Sequence, residues 1–210
     1  KQSQNNYDED NIQVLSDIKH IQLRKGMYIG EAENAFQLSS EILDNSLDEL
    51  GEGYGEEIKV IIDTKLNKYT IMDQGRGSPI GLKTLETGEQ KEILEVICTK
   101  ANSSGKFNTN SYKYSAGING LGITITNALS EYFEITTMRE GKAVTFKAKY
   151  GEKESLNYDK ISKSKHGTTT SFIPDPKMFK STKIPLEKII DRCRVASALG
   201  YRVRLIVDEE

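Results

Sequence analysis

Residues 57 to 79 constrain the fold of this chain more tightly than any other stretch. Ile58, Val60 and Ile62 alternate with other residues over Glu57 to Asp63, the period of a strand with one buried face. Asn67 marks a turn, and a second strand is predicted from Tyr69 to Asp73. That strand runs directly into Gln74-Gly75-Arg76-Gly77-Ser78-Pro79, where two glycines and a proline cannot continue a sheet. The pattern therefore demands a hairpin whose second strand ends on a carboxylate, Asp73, where the backbone leaves the sheet.

Around this hairpin the periodicity changes. Helical spacing is predicted from about Ile12 to Arg24, interrupted by Gly26-Met-Tyr-Ile-Gly30, and most clearly from about Ala35 to Leu50. At 100° per residue Phe36, Leu43, Leu47 and Leu50 of this second helix fall on one side, and Glu41, Asn45 and Asp48 on the other. Residues 89 to 100 have helical spacing through Ile93, Leu94 and Ile97, followed by a polar loop that opens into Gly117-Ile118-Asn119-Gly120-Leu121-Gly122 and a helix to about Leu129. Strands are predicted at 132–139, 142–150, 168–173 and 201–207, and a helix at 185–199. Helices and hairpins mix without regular strand-helix alternation, which points to an α+β class, a two-layer α/β sandwich with a mixed, mostly antiparallel sheet covered on one face by helices. The polar, aperiodic start, KQSQNNYDEDN, reads as an extended arm carrying one aromatic, Tyr7.

Composition removes several function classes. The 29 Lys and Arg against 31 Asp and Glu leave a formal net charge of -2, whereas a domain built mainly to grip nucleic acid carries a basic surplus. Apolar runs such as VIID and EVIC fall far short of a membrane span, and no signal peptide is visible, so no membrane association and a cytoplasmic location are expected. Cys98 and Cys193 sit singly in apolar segments, as reduced buried thiols do.

Three clusters suggest chemistry. On the predicted helix, Glu41 supplies a carboxylate able to take a proton from water, and Asn45 one turn later a hard oxygen suited to Mg²⁺, although a solvated polar face explains the same triplet with Asp48. Asp73, flanked by Gly75 and Gly77, is a good acceptor for an exocyclic amine, although turn chemistry alone also yields such a string. Arg76 is either a surface cation or the partner of a carboxylate such as Glu49. The glycine run ahead of a helix offers backbone N–H groups to an anion such as triphosphate; its spacing, GxxGxG, is neither the dinucleotide fingerprint nor a P-loop.

Taken in order, Glu41-x-x-x-Asn45, Asp73-x-Gly75-x-Gly77, Gly117-x-x-Gly120-x-Gly122 and Gly167-Thr168 resemble the four motif blocks of the Bergerat-fold ATPases, among them gyrase, the MutL mismatch-repair protein and the histidine kinases. Further strings narrow the resemblance: Arg24-Lys-Gly-Met-Tyr-Ile-Gly30, Asp44-Asn-Ser-Leu-Asp-Glu49, Gly105-Lys-Phe-Asn-Thr-Asn-Ser-Tyr-Lys113 and Asn127-Ala-Leu-Ser130 are similar to the amino-terminal ATPase domain of gyrase B and topoisomerase IV B proteins over essentially the whole chain.

That resemblance implies an arm at 1–14, an ATP-binding domain at 15–210, and ATP with Mg²⁺ as cofactors. It casts Glu41 as general base, Asn45 as Mg²⁺ ligand, Asp73 and the Thr168 hydroxyl as adenine readers, and Ile42, Ile71 and Ile97 as walls of the adenine slot. Glu49, Arg76, Gly77 and Pro79 border the site, Lys106 and Tyr112 approach the phosphates from a lid, and Gly117, Ile118, Asn119, Gly120, Leu121, Gly122 and Ile123 cradle them. Tyr7 would reach a partner protomer's ATP site, making a nucleotide-bound homodimer that works with an A-type cleavage subunit and meets DNA through the full-length enzyme. The implied function is ATP hydrolysis driving DNA strand passage, the alternative being an ATP-gated clamp of the MutL type. Hydrolysis by this stretch alone is expected to be slow, because the family's γ-phosphate lysine belongs to a transducer region beyond Glu210. Ser78, Ser104 and Asn119 depart from the family's usual isoleucine, glycine and histidine, while Arg139 stands where its mouth-of-pocket arginine contacts aminocoumarin inhibitors.

Overall fold

A computed structural model describes residues 15–30, 34–101, 121–181 and 183–208. The amino-terminal helix α1 (Asp17–Leu23) starts at Ser16, whose hydroxyl accepts from the Lys19 N–H at 3.3 Å, and buries Ile18 and Ile21. The expected interruption after it is itself helical: α2 (Lys25–Ile29) restarts at Arg24 and stops at Gly30, whose φ of 62° combined with ψ of -152° is a conformation only glycine adopts without strain. Gly26 lies inside this turn of helix, so the break falls at Arg24 rather than across the whole segment.

Helix α3 (Phe36–Gly51) buries Leu38, Ile42, Leu43 and Leu47. Asp48, expected on a solvated polar face, is buried as well, because the helix is packed on more than one side. The hairpin follows as β1 (Glu57–Asp63) and β2 (Lys68–Met72), both alternating between half-buried and buried residues, with Asn67 at φ 51° in the turn. A small two-stranded sheet, β3 (Leu82–Thr84) with β4 (Gln90–Glu92), was not legible in the sequence, and it takes the first residues of the helix expected at 89–100. What remains is α4 (Ile93–Thr99), burying Leu94, Val96 and Cys98.

Helix α5 (Gly122–Ala128) leads into β5 (Ser130–Arg139), β6 (Lys142–Lys149), β7 (Glu152–Lys160) and β8 (Gly167–Pro174), then α6 (Leu186–Ala198) and β9 (Arg202–Val207). Strand β7 was also unanticipated. Its sequence, EKESLNYDK, lacks apolar alternation because it is an edge strand that pairs only with β6 and stays largely exposed.

The main sheet has the order β7-β6-β5-β8-β2-β1-β9. Every neighbouring pair is antiparallel except β1 with β9. The alternating residues of β1, β2, β5, β6 and β8 put one sheet face against the helices, where Tyr69 and Phe172 stack at 4.8 Å between ring centroids. Both cysteines are free and buried, as expected. The result is the mixed, mostly antiparallel two-layer sandwich read from the sequence. No helix among the described residues is long and apolar enough to cross a membrane.

Candidate functional site

Helix α3 carries Glu41, Asn45 and Glu49 at four-residue spacing, which lines them along one stripe of its surface. Each end of that stripe meets a different part of the chain at close range. At the amino-terminal end, Glu41 lies against Gly122, the first residue of α5: a Cβ built on Gly122 would sit 2.8 Å from Glu41 Oε2 and 3.0 Å from its Cβ. The glycine is therefore required by proximity to the carboxylate. Gln37 Nε2, one turn earlier, donates to Glu41 Oε1 at 2.8 Å.

At the far end, Glu49 holds the turn that follows β2. Its Oε2 accepts from the Arg76 backbone N–H at 2.9 Å and from Nε at 3.1 Å, and its Oε1 accepts from Nη2 at 2.9 Å. The guanidinium also lies 4.2 Å from the centre of the Tyr54 ring. Gly75 passes so near that a Cβ on it would meet the Glu49 side chain at 2.7 Å. The carboxylate reading of Arg76 thus holds, and a surface cation does not describe it.

Between these ends lies Asp73, only 8% exposed. Its Oδ1 accepts from the backbone N–H groups of Gly75 at 2.9 Å and Thr168 at 3.1 Å, and its Oδ2 from the Ser46 hydroxyl at 2.9 Å. Burial is the largest influence and raises the pKa of this carboxyl above the usual value; the three hydrogen bonds pull the other way, and the nearby Glu49 charge adds to the rise. An ionised carboxylate offers about four acceptor positions. Donors among the described residues occupy three, leaving one on Oδ2. Thr168 reaches Asp73 through its amide, and its carbonyl accepts from the Asp73 N–H at 2.9 Å, so the start of β8 and the end of β2 are locked together.

The turn from Gln74 to Pro79 is fastened along its length. The Gly75 carbonyl pairs with His166 Nδ1 at 2.8 Å, the Ser78 N–H donates to Thr137 Oγ1 at 2.7 Å, and Arg139 Nη1 donates to the Gly77 carbonyl at 3.4 Å. Gly77 has φ 70° and would bring a Cβ within 2.6 Å of the Met138 carbonyl, so both its conformation and its surroundings need glycine. Pro79, one residue past the last of these anchors, is exposed.

Of the residues expected from the sequence, the fold places Glu41, Asn45, Glu49, Asp73, Arg76, Gly77, Gly122 and Thr168 around α3 and the end of β2. Ile42 and Ile71 are core residues, and Ile97 is half-buried near the end of α4 with Leu121 and Ile123 flanking the start of α5. Tyr7, Lys106, Tyr112, Gly117, Ile118, Asn119 and Gly120 lie outside the described residues. Sequence reasoning missed Ser46, Thr137 and His166 as members of this network. Ser46 had one visible mark, its place directly after Asn45, but its direction depends on how α3 sits on β2. Thr124 and Asn127 were also missed: their side chains donate to the Ile97 and Cys98 carbonyls at 2.9 Å each and fasten α5 to the end of α4.

Comparison with known proteins places the fold in a family. The profile of the family described as histidine kinase-, DNA gyrase B-, and HSP90-like ATPase matches residues 30–177. The chain is 39% identical to the B subunit of DNA topoisomerase 4 from Bacillus subtilis (strain 168), over 98% of this chain and 32% of that protein. The corresponding protein of Enterococcus faecalis (strain ATCC 700802 / V583) is 35% identical over 100% of this chain and 30% of its own length. The chain thus spans about a third of the length of these curated relatives. Among solved structures, the topoisomerase IV ATP binding domain of Francisella tularensis in complex with a small molecule inhibitor superposes with a TM-score of 0.76 at 27% identity, covering 92% of this chain and 91% of that one. With a matching profile over most of its length and a shared fold, this chain belongs to the histidine kinase-, DNA gyrase B- and HSP90-like ATPase family.

Proposed function

We propose that this chain is the ATP-binding and ATP-hydrolysing part of a topoisomerase IV-type B protein, and that in the complete enzyme it drives DNA strand passage. The observation that carries the reading is Asp73: a buried carboxylate with three acceptor positions filled and one left open by donors among the described residues is suited to the exocyclic amine of adenine. Glu49 and Arg76 hold the wall beside it, and Gly75 and Gly77 let a flat ring approach the backbone.

Glu41 is the general base in this reading, orienting and deprotonating the attacking water next to the start of α5. The Asn45 side-chain oxygen, one turn along, is of the hard type Mg²⁺ prefers. A single protein oxygen suits a cation whose remaining positions are filled by nucleotide phosphates and water rather than by a protein cage. When bound, Mg²⁺ would neutralise charge on the phosphate oxygens. Lys106, Tyr112 and the run Gly117 to Gly120 would complete the phosphate side, with Leu121, Gly122 and Ile123 at its helical end.

In the same reading residues 1–14, with Tyr7, form an arm that joins two nucleotide-bound copies, and an A-type cleavage subunit in the cytoplasm supplies the DNA gate. The names of the relatives favour this over a MutL-type clamp. Calorimetric titration of the chain with ATP and Mg²⁺ tests the core of the proposal. One adenine nucleotide per chain is the expected result, and no heat of binding overturns it. A strand-passage assay of the complete protein with its cleavage partner separates topoisomerase from clamp.

A further inference from the structure

Two of the three donors to Asp73 are backbone N–H groups, placed by β8 and by the turn itself. The third is a side chain. Ser46 is buried on α3, immediately after Asn45, and its hydroxyl donates to Asp73 Oδ2 at 2.9 Å. It is thus the one donor to this carboxylate, among the described residues, that a single substitution removes without altering the chain trace. It also acts on the oxygen that keeps the open acceptor position.

We propose that Ser46 is a specificity-determining positioning residue, whose hydroxyl keeps the Asp73 carboxylate a pure acceptor and so makes the site take the amine of adenine and turn away the carbonyl of guanine. The inference rests on the adenine reading of Asp73 given above. Adenine presents an N–H donor at the ring position where guanine presents a carbonyl oxygen. An ionised carboxylate accepts from the first and repels the second, whereas a protonated carboxyl donates to the second. Which base is preferred is therefore a question about the proton on Asp73.

Opposing influences act on that proton. Burial and the Glu49 charge favour it, and the Gly75, Ser46 and Thr168 hydrogen bonds oppose it. Among the described residues, Glu49 from α3 acts directly on Asp73, while Arg76 from the turn is paired with Glu49 and His166 ahead of β8 is bonded to the Gly75 carbonyl. With the Ser46 hydroxyl removed, one of the opposing contributions disappears and the carboxyl holds its proton to higher pH.

The experiment is titration of ATP and of GTP, each with Mg²⁺, into the wild-type chain and the Ser46→Ala variant between pH 6 and 8, with thermal melting as a check on folding. Wild type is expected to prefer ATP throughout. Ser46→Ala should bind ATP about tenfold more weakly, as loss of one hydrogen bond to a charged group implies. Its deficit should deepen toward pH 6, and its ratio of ATP to GTP affinity should shrink. Ser46→Cys, close in size with a weak S–H donor, should fall between the two and stands in if the alanine variant melts early. A purely structural role for Ser46 weakens both nucleotides alike at every pH, and that outcome, or an unchanged ratio, overturns the proposal. Failure of wild type to bind ATP at all would instead overturn the underlying reading of the site.

Discussion

Arg76 and Glu49, 27 residues apart in the chain, meet through both guanidinium and backbone: Nε and Nη2 of the arginine and its own amide N–H all donate to one carboxylate. The pair is only partly exposed, 29% and 15% for the two side chains. Ion pairs that keep their water contribute about 0 to 1 kcal/mol, but Glu49 also satisfies a backbone donor, and its loss removes an acceptor from three N–H groups. Glu49→Ala is expected to cost about 1 to 3 kcal/mol, lowering Tm by roughly 2 to 4 °C per kcal/mol. Asp191→Ala, which breaks the largely exposed pair with Arg194, should leave the melting curve almost unchanged. Equal shifts in the two variants would show that the turn does not depend on Glu49.

Removing the proposed base should separate binding from turnover. Glu41→Ala deletes a side chain that packs on Gly122 and is bonded by Gln37, neither of which contacts Asp73. Phosphate release is expected to fall by about 100- to 10,000-fold while calorimetric ATP affinity stays near wild type. Full turnover in the variant removes Glu41 from the role assigned to it.

Asp73 should show a conflict between function and stability. Its folded-state pKa is raised above the ordinary carboxylate value, so the folded chain holds the proton more tightly than the unfolded one. Stability from this group is therefore full below the ordinary value of 3.8 and is lost as pH climbs from there through the folded pKa. In its ionised form the buried group is a liability that Asp73→Asn relieves, with the Ser46 hydroxyl free to turn and accept from the new amide. The variant is expected to lose ATP binding by calorimetry yet melt no lower than wild type at pH 7, and a marked fall in Tm would contradict the sign argued here.

Glycines should divide sharply by environment. Gly167 has φ 124° and a Cβ there would lie 2.1 Å from the Asp73 carbonyl oxygen, a backbone atom that cannot move aside. Gly167→Ala is expected to cost at least about 3 kcal/mol and to abolish nucleotide binding. Gly26 sits in α2 with nothing within 4 Å, and Gly26→Ala should raise stability by about 0.4 to 1 kcal/mol. Denaturant melts of both variants decide the contrast.

Much of this architecture is written locally. The alternation of Ile58, Val60 and Ile62 made β1 legible, the glycines and proline after Asp73 marked where β2 ends, and the leucines of α3 gave its length. The candidate site residues were nominated from equally local signs: Glu41 and Asn45 stand one helical turn apart, and Asp73 stands just before Gly75 and Gly77. Strand β7 and the β3–β4 hairpin were not, because edge strands bury little and so leave no apolar period to read.

What the chain determines by itself is which residues share a helix face or a strand end, because those relations follow from 3.6-residue and two-residue periods. Only the tertiary structure decides which hydroxyl meets Asp73, why Asp48 is buried, and that Glu49 holds the turn 27 residues further along the chain. Those contacts depend on how α3 lies across the end of β2, and no local period encodes the distance between two elements that touch only after the core has closed.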